Sequence, residues 1–208
     1  DPLNKGEQDR IIDYVNGTAD LDAGLVRAVG NPDERFAEDY LRMLRAVRFA
    51  ARLDFAIEEK TSRAIVLMAK YLGQISRERI GAEIQTMFAQ PSDRRLAAAR
   101  LMQQLKLDAA VLNESNLDVE LPTLGRLDEA AGYATCLAAW MIDRHGPVTV
   151  DAANRLNLLL HFIEHQTDAL TRRWRRALCL SNQHRDELRD VLRLLGLAAQ
   201  WPQMTVAR

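Results

Sequence analysis

The feature that most constrains this chain is the stretch from Asn31 to Leu53, NPDERFAEDYLRMLRAVRFAARL. Asn31-Pro32 is a helix-entry signal, since proline suits the first helical turn and Asp33 and Glu34 favour its positive end. Phe36, Tyr40, Leu44 and Val47 recur at helical spacing and define a face that must pack on protein. Arginines and acids fill most of the remaining positions, so the spacing predicts one amphipathic helix with a charged outer side. On it, Asp39 and Arg42 stand three residues apart and project from the same side.

That pair has a chemical use. A carboxylate offers only acceptors and a guanidinium only donors. Side by side they complement a base edge showing an exocyclic amine next to an unprotonated ring nitrogen, the edge shared by cytosine and adenine. Uracil and guanine reverse that polarity. Paired base contacts of this kind discriminate by about 1–3 kcal/mol. The plainer reading is an intrahelical ion pair on a solvated face, which contributes only a few tenths of a kcal/mol.

Three linked blocks carry a resemblance. The first is Asp13-Tyr14-x-x-Gly17-x-x-Asp20-Leu21-x-x-Gly24-x-x-Arg27. The second is Val29-Gly30-Asn31-Pro32, then Arg35-Phe36, then Glu38-Asp39-x-x-Arg42-x-x-Arg45-Ala46-x-Arg48-Phe49. The third is Ile75-Ser76-x-Glu78-Arg79-Ile80-x-x-Glu83. In order and spacing they resemble the bacterial tRNA nucleotidyltransferases (CCA-adding enzymes) and the related bacterial poly(A) polymerases. The resemblance implies that Asp39 accepts from a base amine and that Arg42 donates to the ring nitrogen. It also implies that Arg45 and Arg48 complete a nucleotide pocket for ATP and CTP. Glu83 and Arg79 read as braces for the base-selecting helix, not as site residues.

Composition adds bounds. With 208 residues, 48% of them hydrophobic, the chain can bury a sizeable core as one or two domains. A formal charge of −1 leaves no global basic signature, so RNA contact must come from local patches. Cys136 and Cys179 fall in no metal or redox spacing and read as free cytosolic thiols. The longest apolar run, Ala130 to Ile142, is too short to span a bilayer, and no signal peptide is visible; the expectation is a cytoplasmic protein.

Near the start, Arg10 to Val15 alternates weakly before the Asn16-Gly17 turn and reads as the one strand of the chain. The family's catalytic head carries a Gly-Ser turn, a D-x-D carboxylate pair for two magnesium ions, and an R-R-D block. None of the three precedes Asp13 here, so the resemblance implies a chain that begins just after that head. Asp20 and Asp22 do form a D-x-D, but on a turn entering a helix. There they read as helix-start caps and not as metal ligands.

Downstream the pattern is helical. Glu58 to Leu72 is amphipathic and closed by Gly73, and Ser76 is placed to cap the next helix, whose core face is Ile80, Ile84, Met87 and Phe88. Pro91 breaks the run. Helices are then expected around Leu96–Leu107, Ala130–Ile142, Val150–His165, Arg172–Leu180 and Arg185–Leu197, with an acidic turn region at Asn113–Pro122. Leu180-Ser181-Asn182 reads as the N-cap of the final helix.

Two motifs in this region carry alternative chemistry. His161-Phe162-Ile163-Glu164-His165 has the H-x-x-E-H pattern of inverted zinc metalloproteases, although a third ligand is not evident downstream. Arg172-Arg173-Trp174-Arg175-Arg176 can grip phosphates while its indole stacks on a base; the alternative is a tryptophan packed inward among solvated arginines.

The reading is a mainly α chain with a short β remnant at its N-terminus. Residues 1–30 are a remnant of the head, 31–90 a neck that selects the base, and 91–208 a helical body that binds tRNA. The function implied is template-independent addition of C or A to RNA 3′ ends, with tRNA CCA addition favoured. Magnesium would be held elsewhere in a full-length enzyme, no catalytic residue lies in this chain, and the chain alone is expected to be inactive. A non-catalytic helical RNA-binding or scaffold protein is the alternative, and a zinc hydrolase built on His161 and His165 a further one.

Overall fold

The computed structural model describes residues 13–147 and 152–200. Half of the strand expected over Arg10–Val15 falls outside them, and Tyr14–Val15 form a bend. The Asp13 carboxylate accepts hydrogen bonds from the Val15, Gly17 and Thr18 amides and from the Thr18 hydroxyl, at 2.6–3.0 Å. Those donors hold its carboxyl well below the usual carboxylate range. They also start helix α1 (Gly17–Asp22). Asp20, expected as a cap, instead makes a forked pair with Arg27 at 2.9–3.1 Å.

The sheet lies where the sequence did not point. Strands β1 (Leu25–Val26) and β2 (Ala56–Ile57) pair in parallel, Leu25 opposite Ala56 and Val26 opposite Ile57. Two residues are too few for an alternation pattern to register.

The expected single helix over residues 31–53 is two helices. The entry is as read: Asn31 caps α2 (Pro32–Glu38), its side chain accepting from the Asp33 amide at 3.1 Å. At Asp39 the backbone turns extended, and α3 (Leu41–Leu53) begins after Tyr40. Phe36 and Leu41 are both only 2% exposed. Five residues apart on a straight helix they would point about 140° apart, so a break is what lets both reach one core. Asp39 stabilises it, its carboxylate accepting from the Leu41 amide at 3.1 Å in the manner of an N-cap. Tyr40 stacks on Tyr71, ring centroids 5.1 Å apart.

Glu58 caps α4 (Glu59–Met68) through the Thr61 amide, and a 3-10 turn over Ala69–Gln74 leads to α5 (Arg77–Phe88). Ser76 occupies the N-cap position of α5 without a side-chain hydrogen bond to the helix. The rest is helical: α6 (Ser92–Gln104), α7 (Leu107–Leu112), the single turn α8 (Pro122–Gly125), α9 (Tyr133–His145), α10 (Ala152–His165), α11 (Thr167–Ala177) and α12 (Asn182–Gln200). Ser181 caps α12, its hydroxyl accepting from the His184 amide at 3.0 Å. Among the described residues no helix is long and apolar enough to cross a membrane.

The hydrophobic core is continuous from Phe36 to Leu192. Met43, Leu44 and Val47 of α3 and Ile80, Ile84 and Met87 of α5 are fully buried in it, and Phe88, Trp140 and Trp174 form an aromatic chain with centroids 5.2 and 5.1 Å apart. Gly81 of α5 lets α11's end approach closely: a Cβ there would lie 2.0 Å from the Leu178 carbonyl oxygen. Gly81→Ala must push the two helices apart and is expected to cost about 1–3 kcal/mol, read from urea denaturation.

Candidate nucleotide-reading site

The break between α2 and α3 makes the candidate site. Asp39 stands on the junction, not on a helix, while Arg42 lies in the first turn of α3. They are not an ion pair with each other. Arg79 of α5 donates to Asp39 Oδ2 at 2.7 Å. Arg42 Nη1 donates to Glu38 at 2.5 Å and to the Arg35 carbonyl at 3.0 Å. Both the one-helix placement and the plain intrahelical pair are thereby corrected. The cause is the same in each case: Asp39 takes extended backbone to cap α3, which swings its carboxylate toward α5.

Burial raises the Asp39 carboxyl, but the Arg79 hydrogen bond, the Leu41 amide and the charges of Arg79 and Arg45 outweigh it and hold the group ionised below its ordinary value. Glu38 is likewise lowered: the Arg42 hydrogen bond, helped by Arg35, outweighs the opposing desolvation. An ionised carboxylate has about four acceptor positions and the Leu41 amide and Arg79 take two of them. Arg42 commits one terminal nitrogen out of a guanidinium with five N–H donors. Their side chains remain 24% and 34% exposed. Acceptor and donor are therefore each partly exposed and each braced by another residue, Asp39 by Arg79 and Arg42 by Glu38.

Arg45 and Arg48, the other two expected site residues, share one brace. Glu83 of α5 accepts from Arg45 Nε at 3.2 Å and from Arg48 Nε at 2.8 Å. The Arg48 guanidinium also lies over the Phe49 ring at 4.5 Å. Arg79 and Glu83, set aside in the sequence as braces, thus touch three of the four expected residues directly. Their spacing of four on α5 is the signal, since it turns both toward the arginine side of α3.

The remaining expected residues fall elsewhere. Within Arg172–Arg176, Trp174 is fully buried and donates to Glu114 Oε1 at 2.8 Å, while Arg173 donates to the same oxygen at 2.5 Å. The tryptophan ring is therefore packed inward and cannot stack on a base, while Arg173 keeps its side chain 41% exposed. Arg172 and Arg176 are exposed and Arg175 is half-buried. His161 and His165 do lie on one side of α10, rings stacked at 4.3 Å. Among the described residues no group of three or more His, Cys, Asp or Glu side chains is placed to hold a metal ion. Cys136 is buried and Cys179 exposed, both free.

A cluster around Glu114 was missed altogether. Glu114, in the stretch read as an acidic turn, is buried with its side chain only 2% exposed. It accepts from Arg144 at 3.1–3.2 Å, Arg173 and Trp174, and lies 3.0 Å from His145 Nε2. Arg144 also pairs with buried Asp108.

A family profile described as the probable RNA and SrmB-binding site of polymerase A matches residues 54–114. The CCA-adding enzyme of Pediococcus pentosaceus is 54% identical over 82 residues, which are 39% of this chain and 21% of that enzyme. The crystal structure of the Bacillus stearothermophilus CCA-adding enzyme in complex with CTP superposes with a TM-score of 0.57 at 31% identity, over 88% of this chain and 41% of that one. A CCA-adding enzyme solved with ATP gives a TM-score of 0.60 at 23% identity, over 94% and 44% of the two chains, a likeness of fold alone. The chain spans about a fifth of the length of the curated relatives it matches. Three motif blocks in order, about half identity to curated CCA-adding enzymes over a shared stretch, and the fold common to their solved structures make this chain similar to one part of the bacterial CCA-adding enzymes.

Proposed function

We propose that this chain is the base-selecting and RNA-binding portion of a template-independent nucleotidyltransferase that adds C and A to RNA 3′ ends, with tRNA as the substrate RNA. The observation that carries the reading is the braced pair at the α2–α3 break: Asp39 held by Arg79 at 2.7 Å and Arg42 held by Glu38 at 2.5 Å. Those braces keep the two side chains from neutralising each other. Asp39 would accept from the exocyclic amine of CTP or ATP while Arg42 donates to the ring nitrogen beside it. A carbonyl and ring N–H would meet acceptor with acceptor and donor with donor, leaving both base groups unpaired. Arg45 and Arg48, fixed on Glu83, would offer their remaining N–H groups to the nucleotide. Residues 31–90 would form the neck and 91–208 the body that carries RNA.

In this family magnesium supplies charge neutralisation and activation of the attacking 3′-hydroxyl. The described residues do not fit that role, because Asp20 is engaged by Arg27 and no cluster of metal-capable side chains occurs among them. No step through the metal is assigned to them.

The test is extension of a tRNA lacking its CCA end by the whole protein that contains this chain. C and A should be added and U and G refused, and the 208-residue chain alone should add nothing. RNA binding without extension by the whole protein would contradict the reading in favour of a non-catalytic RNA-binding protein. A second expectation concerns the braces: Arg79→Ala should raise KM for CTP and ATP several-fold. Its effect on stability should stay within about 1 kcal/mol, because the pair is partly exposed.

A further inference from the structure

The His161-Phe162-Ile163-Glu164-His165 motif forms the last turn of α10. Phe162, 3% exposed, anchors that turn to the core. The Thr167 hydroxyl donates to the Ile163 carbonyl at 2.6 Å and ties the turn to the start of α11. The backbone that spaces the two histidines is therefore held from behind. Four residues apart on a helix, they stand about 40° apart around the axis and about 6 Å apart along it. Both are exposed, and their rings lie face to face, centroids 4.3 Å apart and planes 16° from parallel. His165 Nδ1 lies 3.0 Å from the His161 carbonyl oxygen. A carbonyl only accepts, so Nδ1 carries the proton and Nε2 keeps its lone pair. A backbone carbonyl that fixes the tautomer in this way is the common support of a metal-binding imidazole.

We propose that His161 and His165 form a chelating site for a divalent transition ion that takes nitrogen ligands, Zn2+ or Ni2+. A tetrahedral ion about 2.0–2.1 Å from each nitrogen holds the two nitrogens about 3.3–3.4 Å apart. Rings already near parallel at 4.3 Å reach that separation by tilting their edges together, without moving the helix. Among the described residues no third His, Cys, Asp or Glu is placed to join them, so water fills the remaining positions. The pair thus binds an ion without supplying the three-ligand set of a zinc hydrolase. Glu164 adds a negative charge to the same turn. Mg2+ takes oxygen ligands and is a poor match for imidazole, so this site is distinct from the magnesium chemistry of nucleotidyl transfer. The spacing of the two rings exists only while α10 is folded, and a bound ion therefore stabilises the end of α10 and its turn into α11.

Isothermal titration calorimetry of the 208-residue chain with ZnCl2, NiCl2 and MgCl2 tests this, with Cys179→Ser as the parent so that the exposed thiol does not compete. Zn2+ and Ni2+ should bind and Mg2+ should not. His161→Gln and His165→Gln should each weaken Zn2+ binding about 10-fold or more, at least what the loss of a supporting group costs a metal site. The double variant His165→Gln/Gln166→His keeps the number of histidines but sets the pair five residues apart, and should lose as much. His184→Gln, on α12, should bind as the parent does. Circular dichroism checks that each variant keeps its fold. With ZnCl2 about a hundred-fold above Kd, the parent Tm should rise by about 5–10 °C, and the three variants of the pair should show little rise at the same concentration. Zn2+ binding equal to the parent's in either single variant, or in the shifted pair, would overturn the site. A parent chain that binds neither Zn2+ nor Ni2+ at millimolar concentration would overturn it as well.

Discussion

Glu114→Ala is expected to destabilise the chain by about 3–5 kcal/mol, because it removes one of the two carboxylates of a buried cluster, leaving Arg144 with Asp108 alone and Arg173 and Trp174 without their acceptor. Set against the 5–15 kcal/mol that holds a typical domain folded, that loss is severe. Both Glu114 oxygens are saturated: one by Arg173 and Trp174, the other by Arg144 and His145. Those donors come from α9 and α11, while Glu114 itself follows the left-handed Asn113 at the end of α7. One side chain therefore fastens three helices of the body. Arg77 of α5 reaches the same corner, donating to the Val111 carbonyl at 3.1 Å and to Asn113 at 3.0 Å.

The same cluster gives a pH dependence with a definite sign. Burial pushes the Glu114 carboxyl up, but hydrogen bonds from His145 and Trp174 and the pairing with Arg173 more than reverse this and hold it at about 2, against 4.5 for a free glutamate. A depressed carboxyl contributes stability that is complete above the unfolded value and is lost as pH falls toward the folded one. The span corresponds to about 3 kcal/mol. Asp108 runs the other way, since burial outweighs Arg144 and raises its carboxyl. The Glu114 contribution is therefore isolated as the difference between wild type and Glu114→Gln. That difference should be constant from pH 7 to about 5 and shrink progressively below 4.5. Urea denaturation across that range measures it, and a difference independent of pH would rule the mechanism out.

Legibility in the sequence followed the length of the signal. Helices with several turns of regular apolar spacing, such as α5, α9 and α12, lie where the periodicity puts them, within a few residues at each end. Pro91 breaks the run between α5 and α6 as read, and Ser181 marks the start of α12. The break at Asp39 was not legible, because Phe36, Tyr40, Leu44 and Val47 fit one continuous helix. Only the packing demand on Phe36 together with Leu41 selects two. The β1–β2 pair was too short to leave an alternation. Glu114 was hidden for a different reason: its partners are 30–60 residues away along the chain, and an acidic residue in a polar stretch looks solvated. The candidate site residues rest on motif resemblance, whereas the contacts that Arg79 and Glu83 make with them are evident only from the packing of α5 against α3. Trp174 shows the reverse failure, in which an attractive local composition concealed a core residue.

The second large effect concerns base choice. Asp39→Ala removes the acceptor half of the proposed reading pair and also one cap of α3, worth about 1 kcal/mol of stability. Arg42→Ala removes the donor half and leaves the cap in place. If the pair reads bases, both variants should lose selectivity by the same order, about 5- to 150-fold, which corresponds to 1–3 kcal/mol of discrimination. A role for Asp39 in capping alone would instead lower stability and activity together, without changing the ratio among nucleotides. Arg42→Ala is the cleaner variant, since it leaves the Asp39 cap intact and its partner Glu38 is 48% exposed.

The decisive measurement is kcat/KM for CTP, ATP, UTP and GTP with the whole protein that contains this chain, compared with its Asp39→Ala and Arg42→Ala forms on the same tRNA. Collapse of the preference for C and A over U and G, with tRNA affinity nearly unchanged, is the predicted result. A uniform fall for all four nucleotides with the preference intact would contradict the account.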